Sequence, residues 1–246
     1  MKRISLILYL LITFGTGQTD NYFEQKLLPG GFPVMGFFGL TISSSENEVI
    51  IFGDSQLYCY QNDGEQWLNY QIITEPEIYN YGINFYLSDS LLVVGAPGNI
   101  YTHPENSNGK VYIYRKEAGV WLSDTVLVSS DENMFEFGGS VFSNENLLAV
   151  QSKVGNIGDF ESVVSLYRYD SDTWIEEAVI ISPNESNVFG HDIILFNNNL
   201  IISDPGFNNM TGVIYMYDNT EDDWNLIEAI SQSTPIENSH FGLSIY

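Results

Sequence analysis

The sequence predicts an all-β fold: a β-propeller of four-stranded antiparallel blades, with four complete repeats and the first strand of a fifth. An aromatic residue followed by glycine recurs at intervals of 43, 56, 52 and 52 residues. We call each pair an aromatic-glycine step: Phe38-Gly39, Tyr81-Gly82, Phe137-Gly138, Phe189-Gly190 and Phe241-Gly242. A tyrosine pair and then a tryptophan follow each of the first four steps: Tyr58/Tyr60 and Trp67, Tyr112/Tyr114 and Trp121, Tyr167/Tyr169 and Trp174, Tyr215/Tyr217 and Trp224. A repeat of about 50 residues is typical of propellers or solenoids.

The second repeat indicates four strands. Residues 81–87 alternate in polarity, and the apolar run 91–94 stops at Gly95-Ala96-Pro97. The third predicted strand covers 110–115, which alternates in polarity again, and the fourth covers 121–128. Short runs of branched and aromatic residues between turn formers are strand signals.

The remaining repeats align with the second, with predicted boundaries at 37–79, 80–134, 135–187, 188–239 and a partial 240–246. Because the paired tyrosines stand two apart, both project from one face of a sheet. A sheet with two apolar faces has to be covered on both, which radial stacking of blades achieves. A linear solenoid is the weaker alternative, since its repeats are shorter. The glycines of the steps and of Gly95-Ala96-Pro97 allow strands to approach closely.

Residues 1–17 predict a secretory signal peptide, with Lys2 and Arg3 before a short apolar stretch and Gly15 and Gly17 near the cleavage site. Residues 18–36 form an N-terminal segment ahead of the propeller. The apolar stretch is shorter than the roughly 20 residues that span a bilayer. We therefore expect a secreted or extracellular protein with no transmembrane helix in this chain.

The charge is strongly negative, with 8 basic and 32 acidic residues and a net charge of −24. Such a surface repels phosphate backbones and anionic membranes, so nucleic acid is not an expected partner. The acids are scattered through the loops, which favours a role in solubility over one in binding.

Two residues of the third strands stand out. Cys59 is the only cysteine, so the chain has no internal disulfide, and its place between two tyrosines predicts a small buried apolar side chain. Arg168 occupies a predicted buried position. We expect it to pair with a carboxylate such as Asp170, or to mark a sheet edge, because an unpaired buried cation is costly.

Several of these segments resemble the FG-GAP repeat of integrin α-chain propellers. Residues 137–141 and 241–245 look like its opening strand, residues 92–97 like its second landmark, and 109–114 like the strand that follows. The resemblance covers 37–246 and implies an extracellular interaction domain. In the other repeats the Gly-Ala-Pro position reads Gly53-Asp54-Ser55, Gln151-Ser152-Lys153 and Ser203-Asp204-Pro205. A kelch-type propeller is the nearest competitor, but it would carry a double glycine after the second strand.

Repeats of this family often bind calcium in a loop between the first two strands. Here that position holds three-residue turns such as Ser88-Asp89-Ser90 and Asn197-Asn198-Asn199, which offer too few ligands to wrap the ion. We expect no metal and no cofactor.

Catalytic constellations are not evident, so we expect a non-enzyme. A site that holds a carboxylate through three arginines is excluded beyond residue 17, where Arg115 and Arg168 are the only arginines. His103, His191 and His240 are dispersed. Carboxylate pairs for glycoside hydrolysis stay open because acids are abundant, and a propeller-based carbohydrate-active enzyme is the alternative.

The favoured function is therefore a non-catalytic module that binds a protein or glycan through propeller loops. The loop 98–108 and its counterpart 155–161 are the predicted contacts. Asn184 and Asn209 are candidate N-glycosylation sites, in Asn184-Glu185-Ser186 and Asn209-Met210-Thr211. A further alternative is a truncated product of a seven-bladed propeller, since the fifth repeat contains only an opening strand.

Overall fold

The computed structural model describes residues 25, 27, 38–75, 80–102, 107–144, 146–156, 158–220 and 223–246. The predicted signal peptide, and the segment 18–36 apart from Gln25 and Leu27, lie outside the described residues. The fold is all-β, as predicted. Four antiparallel sheets of the propeller-blade type follow one another along the chain.

Each blade contains four strands that pair in sequence order. Blade 1 contains β1 (Ile42–Ser44), β2 (Glu48–Gly53), β3 (Gln56–Asn62) and β4 (Trp67–Thr74). Blade 2 contains β5 (Phe85–Leu87), β6 (Leu91–Ala96), β7 (Lys110–Glu117) and β8 (Val120–Leu127). Blade 3 contains β10 (Val141–Asn144), β11 (Leu147–Asn156), β12 (Asp159–Asp170) and β13 (Thr173–Ile181), with β9 (Met134–Phe135) beside β11. Blade 4 contains β14 (Ile193–Phe196), β15 (Asn199–Asp204), β16 (Val213–Thr220) and β17 (Asp223–Ile230), with the short helical turn α1 (Phe207–Met210) between β15 and β16.

Strand β9 lies at the approximate predicted boundary of 134/135 and pairs with β11, so Met134 lies with blade 3. One predicted feature of the third repeat is wrong: the loop 155–161 is the tip of a long hairpin, because β11 and β12 stay paired out to Asn156 and Asp159. The Phe160 ring packs edge-to-face against the Phe135 ring at the base of this extension, with the ring centroids 5.4 Å apart.

The apolar faces of neighbouring blades pack together. Tyr112 and Tyr114 project from the same face of blade 2 toward blade 1, as the two-residue spacing predicts, and contribute to a cluster with Leu57 and Cys59. Cys59 is a buried free thiol, and burial raises its pKa above the ordinary range. The prediction of a small buried apolar side chain is confirmed.

The first strands lie side by side, with β1 against β5, β5 against β10, and β10 against β14. The outer face of blade 4 is only partly covered, since Ile201, Ile214 and Met216 are partly exposed. In blades 1 to 3 the side chains at those positions are fully buried. The described blades thus form an arc with one partly open apolar face.

The aromatic-glycine steps are turns, and the prediction that they begin the first strands is wrong. In the first four repeats the strand begins three residues after the glycine, at Ile42, Phe85, Val141 and Ile193. The step glycines have positive φ, for example 99° at Gly138, a conformation that side chains disfavour. Each glycine N–H donates to a carbonyl 13 residues ahead in the second strand, at Phe52, Gly95, Gln151 and Ser203, over 2.8 to 3.0 Å.

This hydrogen bond changes one alignment. Phe52, and not Gly53, corresponds to Gly95 of the Gly-Ala-Pro motif. The predicted close approach is confirmed at Gly95, where an added Cβ would lie 2.2 Å from the Gly138 carbonyl oxygen of the next blade.

The fifth step sits against blade 4 as the third sits against blade 2. The Phe137 N–H donates to the Asn108 carbonyl just before β7, and the Phe241 N–H donates to the Thr211 carbonyl just before β16. Phe241-Gly242 therefore occupies the position at which a blade begins, although residues 240–246 form a turn and not the predicted strand.

Gln25 and Leu27 occupy the place of a fourth strand next to blade 1. The Gln25 amide bonds both backbone groups of Trp67, at 2.6 and 2.8 Å. The Gln71 amide of β4 bonds both backbone groups of Trp121 at 2.8 Å each. Leu27 packs on Val49, Ile51, Tyr58 and Tyr60, the counterparts of the blade 2 residues that Ile73 packs on.

Candidate binding cleft

We call the end of the blades that carries the turns after β1, β5, β10 and β14 the hairpin end, and the opposite end the long-loop end. At the hairpin end, each fourth strand contains a β-bulge opposite the third strand. A bulge places an extra residue that re-aims a side chain. The extra residues are Tyr70, Asp124, Glu177 and Ile227. The first three contribute polar groups near the gaps between blades.

The gap between blades 1 and 2 is filled by a buried polar network around Glu48. The Glu48 carboxylate accepts hydrogen bonds from the Lys116 ammonium at 2.7 Å, from the Trp121 indole at 2.8 Å, and from the Tyr70 hydroxyl. Lys116 also lies 5.1 Å from the Trp121 ring centroid. The chain's own side chains thus occupy this gap.

The gap between blades 2 and 3 is filled by the ring of Tyr169. The Arg115 guanidinium carbon lies 4.5 Å from the Tyr169 ring centroid, a cation–π distance. On the blade 3 side, the Trp174 ring lies 5.1 Å from that of Tyr169, centroid to centroid. The bulge residue Asp124 accepts a hydrogen bond from Arg115 Nε at 3.0 Å and fixes its plane.

The gap between blades 3 and 4 is open and forms a cleft of about 580 Å³. We call it the blade 3–4 cleft. Its lining includes Leu147, Arg168, Phe196, Asn198, Asn219 and Trp224. Asn219 is the counterpart of Lys116 and Tyr169, because each backbone N–H donates to the carbonyl of the facing turn: Asn198 for Asn219, Ser90 for Lys116, and Asn146 for Tyr169. The short Asn219 side chain therefore stands where the other two gaps contain the longer side chains of Lys116 and Tyr169.

Charges in the cleft are balanced by Glu177. Its carboxylate accepts from Arg168 Nε at 2.6 Å and from Nη2 at 3.0 Å, and from the Trp224 indole at 3.3 Å. The Arg168 side chain keeps 48% of its exposure. The predicted pairing of Arg168 is confirmed, but its partner is Glu177 and not Asp170, because the bulge turns Glu177 toward it.

Amides and aromatic rings form the rest of the lining. Asn144, Asn146, Asn197 and Asn198 lie on the turns of blades 3 and 4, and Phe196 is 63% exposed beside them. Primary amides both donate and accept hydrogen bonds. The cleft can thus hold a ring against Trp224 and Phe196 while its rim bonds polar groups of a ligand.

The predicted glycosylation sites lie at the long-loop end. Asn184 is exposed between β13 and β14, although its amide nitrogen donates to the Tyr215 hydroxyl. Asn209 is exposed between β15 and β16, within α1. Of the predicted contact loop 98–108, residues 103–106 lie outside the described residues, and Tyr101 is 65% exposed at the same end. The blade 3–4 cleft is at the other end of the blades.

Three other features matter for function among the described residues: metal ligands, the histidines and membrane-spanning helices. Over the described ranges, no group of three His, Cys, Asp or Glu residues could hold a metal ion. His191 and His240 belong to different steps, and His103 lies outside the described residues. None of the helices in the described part of the chain has the length and apolar character of a membrane span.

Sequence reasoning missed Glu177, Phe196, Asn219 and Trp224 as parts of one site. In the sequence, Trp224 is recognisable only as a repeat landmark. The detectable signal was the difference among Lys116, Tyr169 and Asn219, which stand two residues after Tyr114, Tyr167 and Tyr217 respectively.

No family model and no curated protein matches the chain. Among solved structures it is similar to Hsv2 of Kluyveromyces lactis, with 9% identity over 72% of this chain and 48% of that chain, at a TM-score of 0.48. It is also similar to sucrose-6-phosphate hydrolase from Lactobacillus gasseri, with 12% identity over 77% of this chain and 46% of that chain, at a TM-score of 0.45. The chain spans about half the length of these structures. Its assignment as a propeller-type fold rests on its own strand pairing.

Proposed function

We propose that this protein is a non-catalytic interaction module that binds its ligand in the blade 3–4 cleft. The observation that carries the proposal is the open gap at Asn219, because the chain's own side chains fill the gap between blades 1 and 2 and the gap between blades 2 and 3. Pockets with aromatic walls and a few placed polar groups are typical ligand sites. The ligand class at this level is a protein or a glycan.

The location of the cleft supports recognition through turns on a rigid scaffold. The cleft lies on the turns after β10 and β14, and these turns connect strands whose inner residues are buried. This differs from the predicted contact through loop 98–108, which lies at the long-loop end. Glycans on Asn184 and Asn209 would leave the hairpin end uncovered, which fits a binding surface there.

The residues that line the described cleft support the non-catalytic proposal. They include no aspartate or glutamate, whereas glycoside hydrolysis needs two carboxyl groups that flank the scissile bond. Glu177, at the edge, is engaged by Arg168 and Trp224. A secreted or extracellular location and an FG-GAP relationship are part of the same proposal, supported by residues 1–17 and by the repeat motifs respectively.

The proposal is tested with two matched substitutions, each of which replaces an exposed aromatic side chain with alanine. Phe196→Ala removes an exposed ring at the cleft, and Tyr101→Ala removes an equally exposed ring at the long-loop end. The purified protein and both variants are screened on a glycan array and a panel of extracellular protein domains, with glycoside hydrolase substrates in parallel. We expect ligand signals that fall in Phe196→Ala and persist in Tyr101→Ala. The reverse pattern would place recognition in the 98–108 loop, and turnover of any substrate would show an enzyme.

A further inference from the structure

We infer that the blade 3–4 cleft accepts a tyrosine side chain from a protein partner, an inference that rests on the proposed function and names its ligand. The neighbouring gap supplies the template. There, Tyr169 of the chain itself lies between Arg115 and Trp174, at 4.5 and 5.1 Å. The blade 3–4 cleft has the same two walls without the ring.

The walls correspond residue by residue. Arg168 is the counterpart of Arg115, since each stands directly after the third-strand tyrosine at the bulge, Tyr167 or Tyr114, and bonds the bulge acid of the same blade through Nε. Trp224 is the counterpart of Trp174, as the tryptophan early in the fourth strand. Asn219 is the counterpart of Tyr169 by its backbone hydrogen bond to the facing turn.

The walls of the cleft are pre-arranged for a ring. Glu177 bonds Arg168 through two nitrogens, and its Oε1 also accepts from the Trp224 indole. A guanidinium held in plane by a carboxylate still offers its flat face to an aromatic ring. In blade 2 that face is covered by Tyr169 and the Arg115 side chain is 34% exposed, whereas Arg168 has no such ring over it among the described residues and is 48% exposed. Binding of a ring therefore requires little reordering of the Arg168 and Trp224 side chains.

A tyrosine fits better than a neutral sugar because the template ring is aromatic and the cation favours its π face. The amides of Asn198 and Asn219 lie in the same lining and can bond a phenol hydroxyl. Tyrosine is also frequent among the residues that dominate protein interfaces. The net charge of −24 favours a tyrosine flanked by basic residues.

The test uses the peptide acetyl-Lys-Gly-Tyr-Gly-Lys-amide, with leucine in place of tyrosine as the control peptide. Binding to the full chain is measured by titration calorimetry and by NMR. Asn219→Tyr supplies the missing ring from the chain itself, and we expect it to abolish binding without lowering the melting temperature. Tyr101→Ala serves as the surface control and should bind like wild type. The leucine peptide should bind at least tenfold more weakly.

A second variant tests the template directly. Tyr169→Asn opens the blade 2–3 gap in the manner of the natural cleft, so the stoichiometry should rise from one peptide to two. A folded Tyr169→Asn protein that still binds one peptide would contradict the template. The comparison of wild type with Asn219→Tyr decides the inference whether or not Tyr169→Asn folds.

The other outcomes separate the two levels of the proposal. No tyrosine-peptide binding by wild type, or equal binding by Asn219→Tyr, overturns the inference. If methyl α-D-mannopyranoside or another glycan from the array binds in a manner that Asn219→Tyr blocks, while the peptide does not bind, the inference fails and the proposed function stands. If neither class responds to Asn219→Tyr or Phe196→Ala, both fail.

Discussion

At the residue scale, the backbone conformation of the step glycines and the burial of Asp204 are properties that the sequence pattern does not reveal. The aromatic-glycine dipeptides were visible in the sequence, but their turn geometry was not, because alternation of polarity does not reveal a positive φ. Gly138 combines a φ of 99° with an approach of 2.7 Å between an added Cβ and the Lys110 carbonyl oxygen. Asp204 was visible only as a departure from Gly-Ala-Pro, and its burial depended on the packing of blade 4.

Asp204 predicts a pH dependence of stability. Its side chain is buried, Oδ1 accepts from Ser186 and Gly206, and Oδ2 has no partner among the described residues. Desolvation raises its pKa above the ordinary 3.8, with the hydrogen bonds opposing that rise. The folded state therefore holds the proton more tightly, so Asp204 costs stability as the pH rises through and above this range.

We expect Asp204→Asn to melt at a higher temperature than wild type at pH 7, because the substitution removes the buried charge and keeps an acceptor oxygen. The advantage should shrink below pH 4, where Asp204 is protonated. Melting curves from pH 3 to 8 measure both. A lower melting temperature for Asp204→Asn at pH 7 would show that further groups, beyond Ser186 and Gly206, stabilise the carboxylate.

At the element scale, the bulge of each fourth strand and the third-strand residue opposite it determine how the gaps are filled. The strands were predictable because tyrosine pairs and tryptophans repeat at fixed spacing. The bulges were not, since the insertion of Tyr70, Asp124 or Glu177 into a strand leaves no distinctive local pattern. The cleft was unpredictable for the same reason: it depends on register between Asn219 and residues of another blade.

The Glu48 network predicts a large stability effect from one substitution. Glu48→Ala leaves the Lys116 ammonium and the Trp121 indole without their carboxylate, and loss of one partner of a buried ion pair costs about 3–5 kcal/mol. Asp124→Asn at the Arg115 pair, whose two side chains are 34% and 33% exposed, is the control, with an expected cost below about 1 kcal/mol. Urea denaturation compares them. Equal costs for the two variants would mean that Glu48 is solvated in solution.

At the scale of the whole molecule, the described blades form an arc whose two sides differ. Blade 1 is covered by Gln25 and Leu27 in the manner of a preceding fourth strand, whereas Ile201, Ile214 and Met216 of blade 4 are partly exposed. Repeat counting predicted the four described blades and the place of the fifth step. It could not predict the role of Gln25, because Gln25 and Leu27 lie outside the repeats and near neither an aromatic-glycine step nor a repeat tryptophan.

We expect Leu27 to contribute as much to the free energy of unfolding as the equivalent residue of a blade. Leu27 is 6% exposed and Ile73 is 7% exposed, in equivalent clusters. We expect Leu27→Ala and Ile73→Ala each to reduce the free energy of unfolding by about 2–4 kcal/mol. Denaturant unfolding of the full chain measures this. A cost for Leu27→Ala below about 0.5 kcal/mol would show that the N-terminal residues do not act as a strand of the fold.

The central claim, that the blade 3–4 cleft is the recognition site, is tested most directly by the tryptophan indole N–H resonances during titration with the tyrosine peptide. We predict that the Trp224 indole resonance shifts in wild type and stays fixed in Asn219→Tyr. The Trp121 indole, which donates to buried Glu48, should not move in either protein. A titration in which Trp224 stays fixed, or in which it shifts equally in Asn219→Tyr, would contradict the claim.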